Sequence, residues 1–145
     1  MKPRAAWPFL AKKAKEKCDQ AMAALVKGRE RIKSLEQSRM KMQALYADYL
    51  ARSIEAEKNS HSMHETVNFR GFLQQIQTLI KRVDVDLEHA KFELDVLKGN
   101  LVAAEKKRIQ METLHEQDLR RIQEAAAKRE QREMDAAGVM MFNLK

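Results

Sequence analysis

His61 and His64 stand three residues apart, a spacing at which one helical turn presents two imidazoles to a metal ion. Glu65 could add a carboxylate. No cysteine lies nearby, so the zinc set is incomplete and loop histidines are the expected reading. Asp84, Asp86, Glu88, Glu93 and Asp95 gather carboxylates that could suit a cation. They lack the loop glycine and the ligand order of a calcium hand. Lys81, Arg82, Lys91 and Lys98 stand within helical reach as ion-pair partners, so a solvated helix face is expected. Cys18, the single cysteine, cannot form an internal disulfide and suits a small core position better than a nucleophile. No Ser–His–Asp arrangement, phosphate loop or nucleotide fingerprint is present. The residues therefore predict no catalysis, no metal and no cofactor.

Charge points to a binding role. The net charge is +7. Residues 1–31 hold nine Lys/Arg against three Asp/Glu, whereas residues 32–104 hold ten of each. The excess is an N-terminal feature on an otherwise balanced surface. Lys12, Lys13, Lys15 and Lys17, with Lys27, Arg29 and Arg31 after them, could meet phosphates. Trp7 and Phe9 are the only aromatics near them, and no nucleic-acid module is recognisable. An acidic protein surface explains the same pattern, and no nucleic-acid partner is expected. No run of 18 apolar residues occurs, so no membrane span is expected, and nothing at the N-terminus has the length of a signal peptide's apolar core. A cytoplasmic protein is the expected reading.

The elements that position these residues are helices. Gly and Pro together number six, and both prolines fall within the first eight residues. Phe69, Leu73, Ile76, Ile80, Val83, Leu87, Ala90, Leu94, Leu97, Leu101 and Ala104 alternate steps of four and three without a miss. That is the seam of a left-handed coiled coil. Cys18, Ala21, Leu25, Gly28, Ile32, Leu35, Arg39, Met42, Tyr46, Tyr49 and Ser53 keep the same steps, weakened by Gly28, Arg39 and Ser53. EKNSHSMHETVN between them is polar, and Ser62-x-x-Glu65 fits a capping box. The prediction is all-α: one coiled-coil domain over residues 1–145, a long antiparallel two-helix hairpin. Helix one covers about 9–57, the turn about 58–62, helix two about 63–137, and a flexible tail 138–145 follows Gly138. Helix two outruns its partner beyond about residue 112. Arg108, His115 and Asp118 fall on seam positions there, while Leu114, Leu119 and Ile122 suggest a shifted register.

More apolar residues cluster near the turn than one seam needs. Phe72, Ile76, Leu79 and Val83 form a line on one side of helix two, and Leu45, Tyr46, Tyr49 and Leu50 stand across the turn. Either one wide seam absorbs them, or they form an open patch for a partner.

The chain resembles the FliJ family of bacterial flagellar export proteins. The likeness is carried by its length, the polar turn after about sixty residues, the block Asn68-Phe69-x-x-Phe72-Leu73-x-x-Ile76, Tyr49 before the turn, and the charged end KREQREMD. The resemblance implies a non-enzymatic stalk, similar in architecture to the central stalk of rotary ATP synthases. It implies binding in the pore of a hexameric export ATPase, promotion of ring assembly and activity, and contact with the cytoplasmic domain of the export-gate membrane protein. Export chaperones are further candidate partners. Association with the cytoplasmic face of the inner membrane would run through partners only. The implied ring-binding residues are Lys12, Lys13, Lys15, Lys27, Arg29 and Arg31 near the start, with Arg120, Arg121, Lys128, Arg129 and Arg132 near the end. The implied gate patch is Met42, Leu45, Tyr46, Tyr49, Phe72, Ile76 and Leu79. The equivalent stalk of a virulence secretion system and a basic nucleic-acid-binding coiled coil are the alternatives.

Overall fold

The computed structural model describes residues 6–59 and 63–144. Two helices account for them, α1 (Ala6–Lys58) and α2 (Met63–Leu144), packed against each other as an all-α hairpin. Pro8 sits in the first turn of α1, where its missing N–H costs no helical hydrogen bond. Lys58 in the last turn of α1 and Glu65 in the first turn of α2 each complement the local helix dipole. The Asn59 N–H closes α1 by donating to the carbonyls of Glu55 and Ala56, both at 3.2 Å.

The chain divides into two units, Ala23–Gly99 and Met1–Met22 with Asn100–Lys145. In Ala23–Gly99 the α1 seam runs Leu25, Gly28, Ile32, Leu35, Arg39, Met42, Tyr46, Tyr49, Ser53 and Ala56. The α2 seam runs from Phe69 to Leu97 as the periodicity predicts. Every one of these positions is buried or half-buried. The pairing is antiparallel: Arg31, Arg39 and Tyr46 on α1 meet Glu93, Asp84 and Gln77 on α2. Gly28 has a steric reason here. A Cβ on it would lie 2.9 Å from Leu97 Cδ1 and 3.3 Å from Leu94 Cδ1. The leucines fill the space that the glycine leaves, which offsets its poor helix propensity.

In the second unit the α1 seam is Trp7, Ala11, Ala14, Cys18 and Ala21. The α2 seam is Leu101, Ala104, Arg108, Met111, His115, Asp118, Ile122 and Ala125. The expected shift of register is therefore overturned. The four–three pattern continues unbroken through Ala125, and Leu119 stays outside it at 40% exposure. Arg108 and His115 are half-buried and reach toward water from a thin two-helix seam, whereas Asp118, 6% exposed, is held by its pair with Arg121. The expected tail is also corrected: the backbone is helical through Leu144. Gly138 lies between good helix formers and ends nothing. No side chain from 126 to 144 is covered.

Candidate functional site

Two surfaces collect the residues that the sequence singles out. The first lies in Ala23–Gly99 beside the turn. Tyr49 packs its ring on Phe72, with centroids 4.3 Å apart and planes tilted by 40°, and reaches Phe69 at 6.4 Å. Such tilted aromatic pairs add to area burial. The Arg52 guanidinium lies 5.5 Å from the Tyr49 ring centroid, within cation–π range. Gln77 Nε2 donates to the Tyr46 hydroxyl at 3.0 Å, which fixes that ring at the seam edge. A groove opens among Tyr49, Arg52, Ala56, Asn59, Phe69 and Phe72.

The register explains why Leu45 and Leu79 belong to this surface. Arg31 and Glu93 pair on one flank of the seam at 3.4 Å. Two heptads toward the turn from each, the same flank places Leu45 opposite Leu79. One heptad further it places Arg52 opposite Phe72. The flank thus changes from charged to apolar to aromatic as it nears the turn. Leu45 is 42% exposed and Leu79 44%. Met42, Tyr46, Tyr49 and Phe72 are half-buried. Ile76 differs: it is 2% exposed and belongs to the seam, so it supports the patch from beneath without surfacing in it. Phe72 is covered on one side by Tyr49, whereas Leu79 is open.

The second surface is basic. In the unit formed by the chain ends, Lys12, Lys13, Lys15, Arg120, Arg121, Lys128, Arg129 and Arg132 are all exposed. Lys13 lies 5.6 Å from the Phe9 ring centroid and 3.8 Å from Glu16. Arg121 pairs with buried Asp118 at 3.6 Å and Arg129 with Glu133 at 3.5 Å. Lys27, Arg29 and Arg31 are exposed in the other unit, and Arg31 is engaged by Glu93.

Inside the seam of the chain-end unit, Arg108 donates to both Glu112 carboxylate oxygens at 3.2 and 3.1 Å. Those bonds, followed by one to Cys18, raise the guanidinium above its ordinary pKa. Cys18 is half-buried in the seam. Trp7 Nε1 and His115 Nδ1 are buried without hydrogen-bond partners among the described residues. The four–three spacing already puts Arg108, His115 and Asp118 on seam positions; the contact of Arg108 with Cys18 is what the spacing does not show.

The acidic residues are placed differently from the same-helix pairing expected. Asp84 pairs with Arg39 and Glu93 with Arg31, both across to α1. The Arg39 pair has no directed hydrogen bond from Nε. His61 and Ser62 lie outside the described residues, and only the backbone of His64 is described. Among the described residues no group of three or more His, Cys, Asp or Glu could hold a metal ion, and no helix is long and apolar enough to cross a membrane.

A family model described as Flagellar FliJ protein matches residues 9–145. No curated protein and no solved structure gives a significant match.

Proposed function

The chain belongs to the FliJ family, whose members are non-enzymatic components of flagellar type III export, and from that premise we propose that it is the stalk of the export ATPase. As that stalk it would lie in the cytoplasm, at the inner face of the inner membrane through its partners. The basic chain-end surface binds the hexameric ATPase, promoting ring assembly and hydrolysis, and the turn-proximal surface binds the cytoplasmic domain of the export gate. The observation that supports this most is the run 126–144, a helix exposed at every position. A helix is marginal in water when tertiary packing does not support it. This one ends in Val139, Met140, Met141, Phe142 and Leu144, apolar nearly all round, which is the signature of a segment that a partner encloses. Met140 and Met141 supply adaptable contact surface.

An asymmetric helical hairpin inside a symmetric ring contacts each subunit differently. Differential contact is what biases identical subunits toward different nucleotide states. Export chaperones, which the family resemblance also suggests, would need surface that the ring and gate leave free. No observation favours a virulence-system stalk or a nucleic-acid role.

The test is ATP hydrolysis by the cognate export ATPase across a titration of this chain. Stimulation is expected to saturate near one chain per ATPase ring and to fall when Arg120, Arg121, Lys128 and Arg129 are neutralised together. An active ATPase that ignores the folded chain would refute the stalk reading. For the gate surface, Leu79→Asp is expected to abolish binding to the gate domain with helicity retained. Unchanged binding would remove the gate from this surface.

A further inference from the structure

The solvent side of α2 carries a second apolar line that the hairpin does not use. Val85, His89, Phe92, Val96 and Gly99 follow steps of four, three, four and three. The spacing is that of the seam, set on the opposite face of the helix. Phe92 is 71% exposed, Val85 51% and Val96 49%, and His89 and Gly99 are exposed with them. Phe92 is more exposed than any other described aromatic of Ala23–Gly99.

Gly99 separates this line from scattered surface apolars. Gly28 is required by close packing inside the hairpin, but a Cβ on Gly99 would meet nothing within 4 Å. Gly71, on the same face nearer the turn, is open in the same way. A glycine inside a helix costs about 1 kcal/mol against alanine. Nothing within the hairpin calls for that cost at Gly99, whereas close approach of another helix on this face does.

The flanks identify what approaches. Asp86 and Glu93 directly follow Val85 and Phe92, while Glu88 and Asp95 directly precede His89 and Val96. These are the flanking e and g positions of the outer line, and all four are acidic. Glu93 also meets Arg31, with 59% of its side chain still exposed. A second copy would bring the same acidic rails in either orientation, and like charges would face each other. An anionic lipid surface is repelled for the same reason. We propose that residues 85–99 of α2 dock a basic amphipathic helix of a partner protein, one with Lys or Arg on both sides of its apolar stripe. It adds to the hairpin as a third strand. The line contains neither Phe72 nor Leu79, so the gate reading can fail while this one stands.

The probe is a fluorescein-labelled synthetic peptide of about three heptads, Leu at the seam positions and Lys at e and g, with a counterpart carrying Glu there. Each is titrated against the full chain by fluorescence anisotropy at low salt. The Lys peptide is expected to bind at least about tenfold more tightly than the Glu peptide. Phe92→Ala is expected to weaken it about tenfold. The double variant Glu88→Lys/Asp95→Lys, which leaves Asp86 and Glu93 acidic, is expected to abolish the preference, and circular dichroism should show unchanged helicity for both. Equal affinity of the unaltered chain for the two peptides, or a preference that the double variant leaves intact, would overturn the proposal. So would dimerisation of the chain that Phe92→Ala abolishes in sedimentation equilibrium, because that outcome makes a second copy the occupant.

Discussion

In Ala23–Gly99 the buried seam residues are Leu25, Ile76, Val83, Leu87 and Ala90, with Ser53 the one buried polar side chain among the described residues. In the unit formed by the chain ends they are Ala14, Leu101 and Met111, together with Asp118. The first seam uses branched side chains and aromatics. The second has three alanines with Trp7 and Cys18 on α1 and places Arg108, His115 and Asp118 on α2. Branched apolar groups contribute burial, about 1.5–3 kcal/mol for each large side chain fully removed from water. Polar groups at seam positions contribute little stability and fix register instead. One segment of the hairpin is thus built to hold, and the other to keep alignment at modest strength where a partner is proposed to grip it.

The largest expected effect tests that difference directly. Ile76→Ala should lower unfolding stability by about 3 kcal/mol, measured by urea denaturation, because it leaves a cavity at a position 2% exposed. Met111→Ala, at 8% exposure beside small neighbours on α1, should cost no more than about 2 kcal/mol. Equal losses would mean that the two seams do not differ in strength. At His115 the sign reverses. Its Nδ1 is buried without a partner among the described residues, so His115→Leu should raise stability by about 1 kcal/mol. A loss of similar size would show that the imidazole makes an essential contact.

The fold was legible because the four–three pattern from Phe69 to Ala104 specifies one buried stripe and hence one packing mode. The register beyond Ala104 was not. Periodicity reports apolar positions only; the Arg108–Glu112 pair is readable at its four-residue spacing, but the approach of Arg108 to Cys18 across the seam appears only once the hairpin register is set. The partners of Asp84 and Glu93 escaped for a related reason. Lys and Arg at helical spacing are visible in sequence, whereas Arg31 and Arg39 become neighbours only once the hairpin register is set. The turn-proximal surface was partly legible. The surplus of apolar residues showed, but separating Ile76 in the seam from Leu79 on the flank needs the angular position that packing fixes. The end of α2 was misread at Gly138, where glycine alone does not stop a helix unless the chain also turns.

Glycines sharpen the contrast on a smaller scale. Gly99→Ala should raise the thermal midpoint by an amount equivalent to about 1 kcal/mol, since the new methyl meets nothing within 4 Å. Gly28→Ala gains the same propensity but sets its methyl 2.9 Å from Leu97 Cδ1. The leucine must rotate away, and the net change should be near zero or unfavourable. Equal stabilisation at both sites would mean that the helices are not closely apposed at Gly28.

The smallest expected effect concerns charge. Arg39 holds a seam position, and its pair with Asp84 leaves both side chains about two-fifths exposed, at 41% and 43%. Arg129 and Glu133 pair within one helix at 82% and 69% exposure. Exposed pairs are worth a few tenths of a kcal/mol and are screened by salt. A double-mutant cycle should give a coupling of about 0.5–1 kcal/mol for Arg39 and Asp84 and no measurable stability coupling for the exposed pair. Raising ionic strength from about 0.01 M to about 1 M should erode part of the Arg39 coupling and retain the rest, because half-buried charges are screened less than surface ones. Complete loss in salt would place Arg39 on the surface in solution. The seam would then be interrupted at its midpoint, and the strength of Ala23–Gly99 would rest on the branched residues on either side of it.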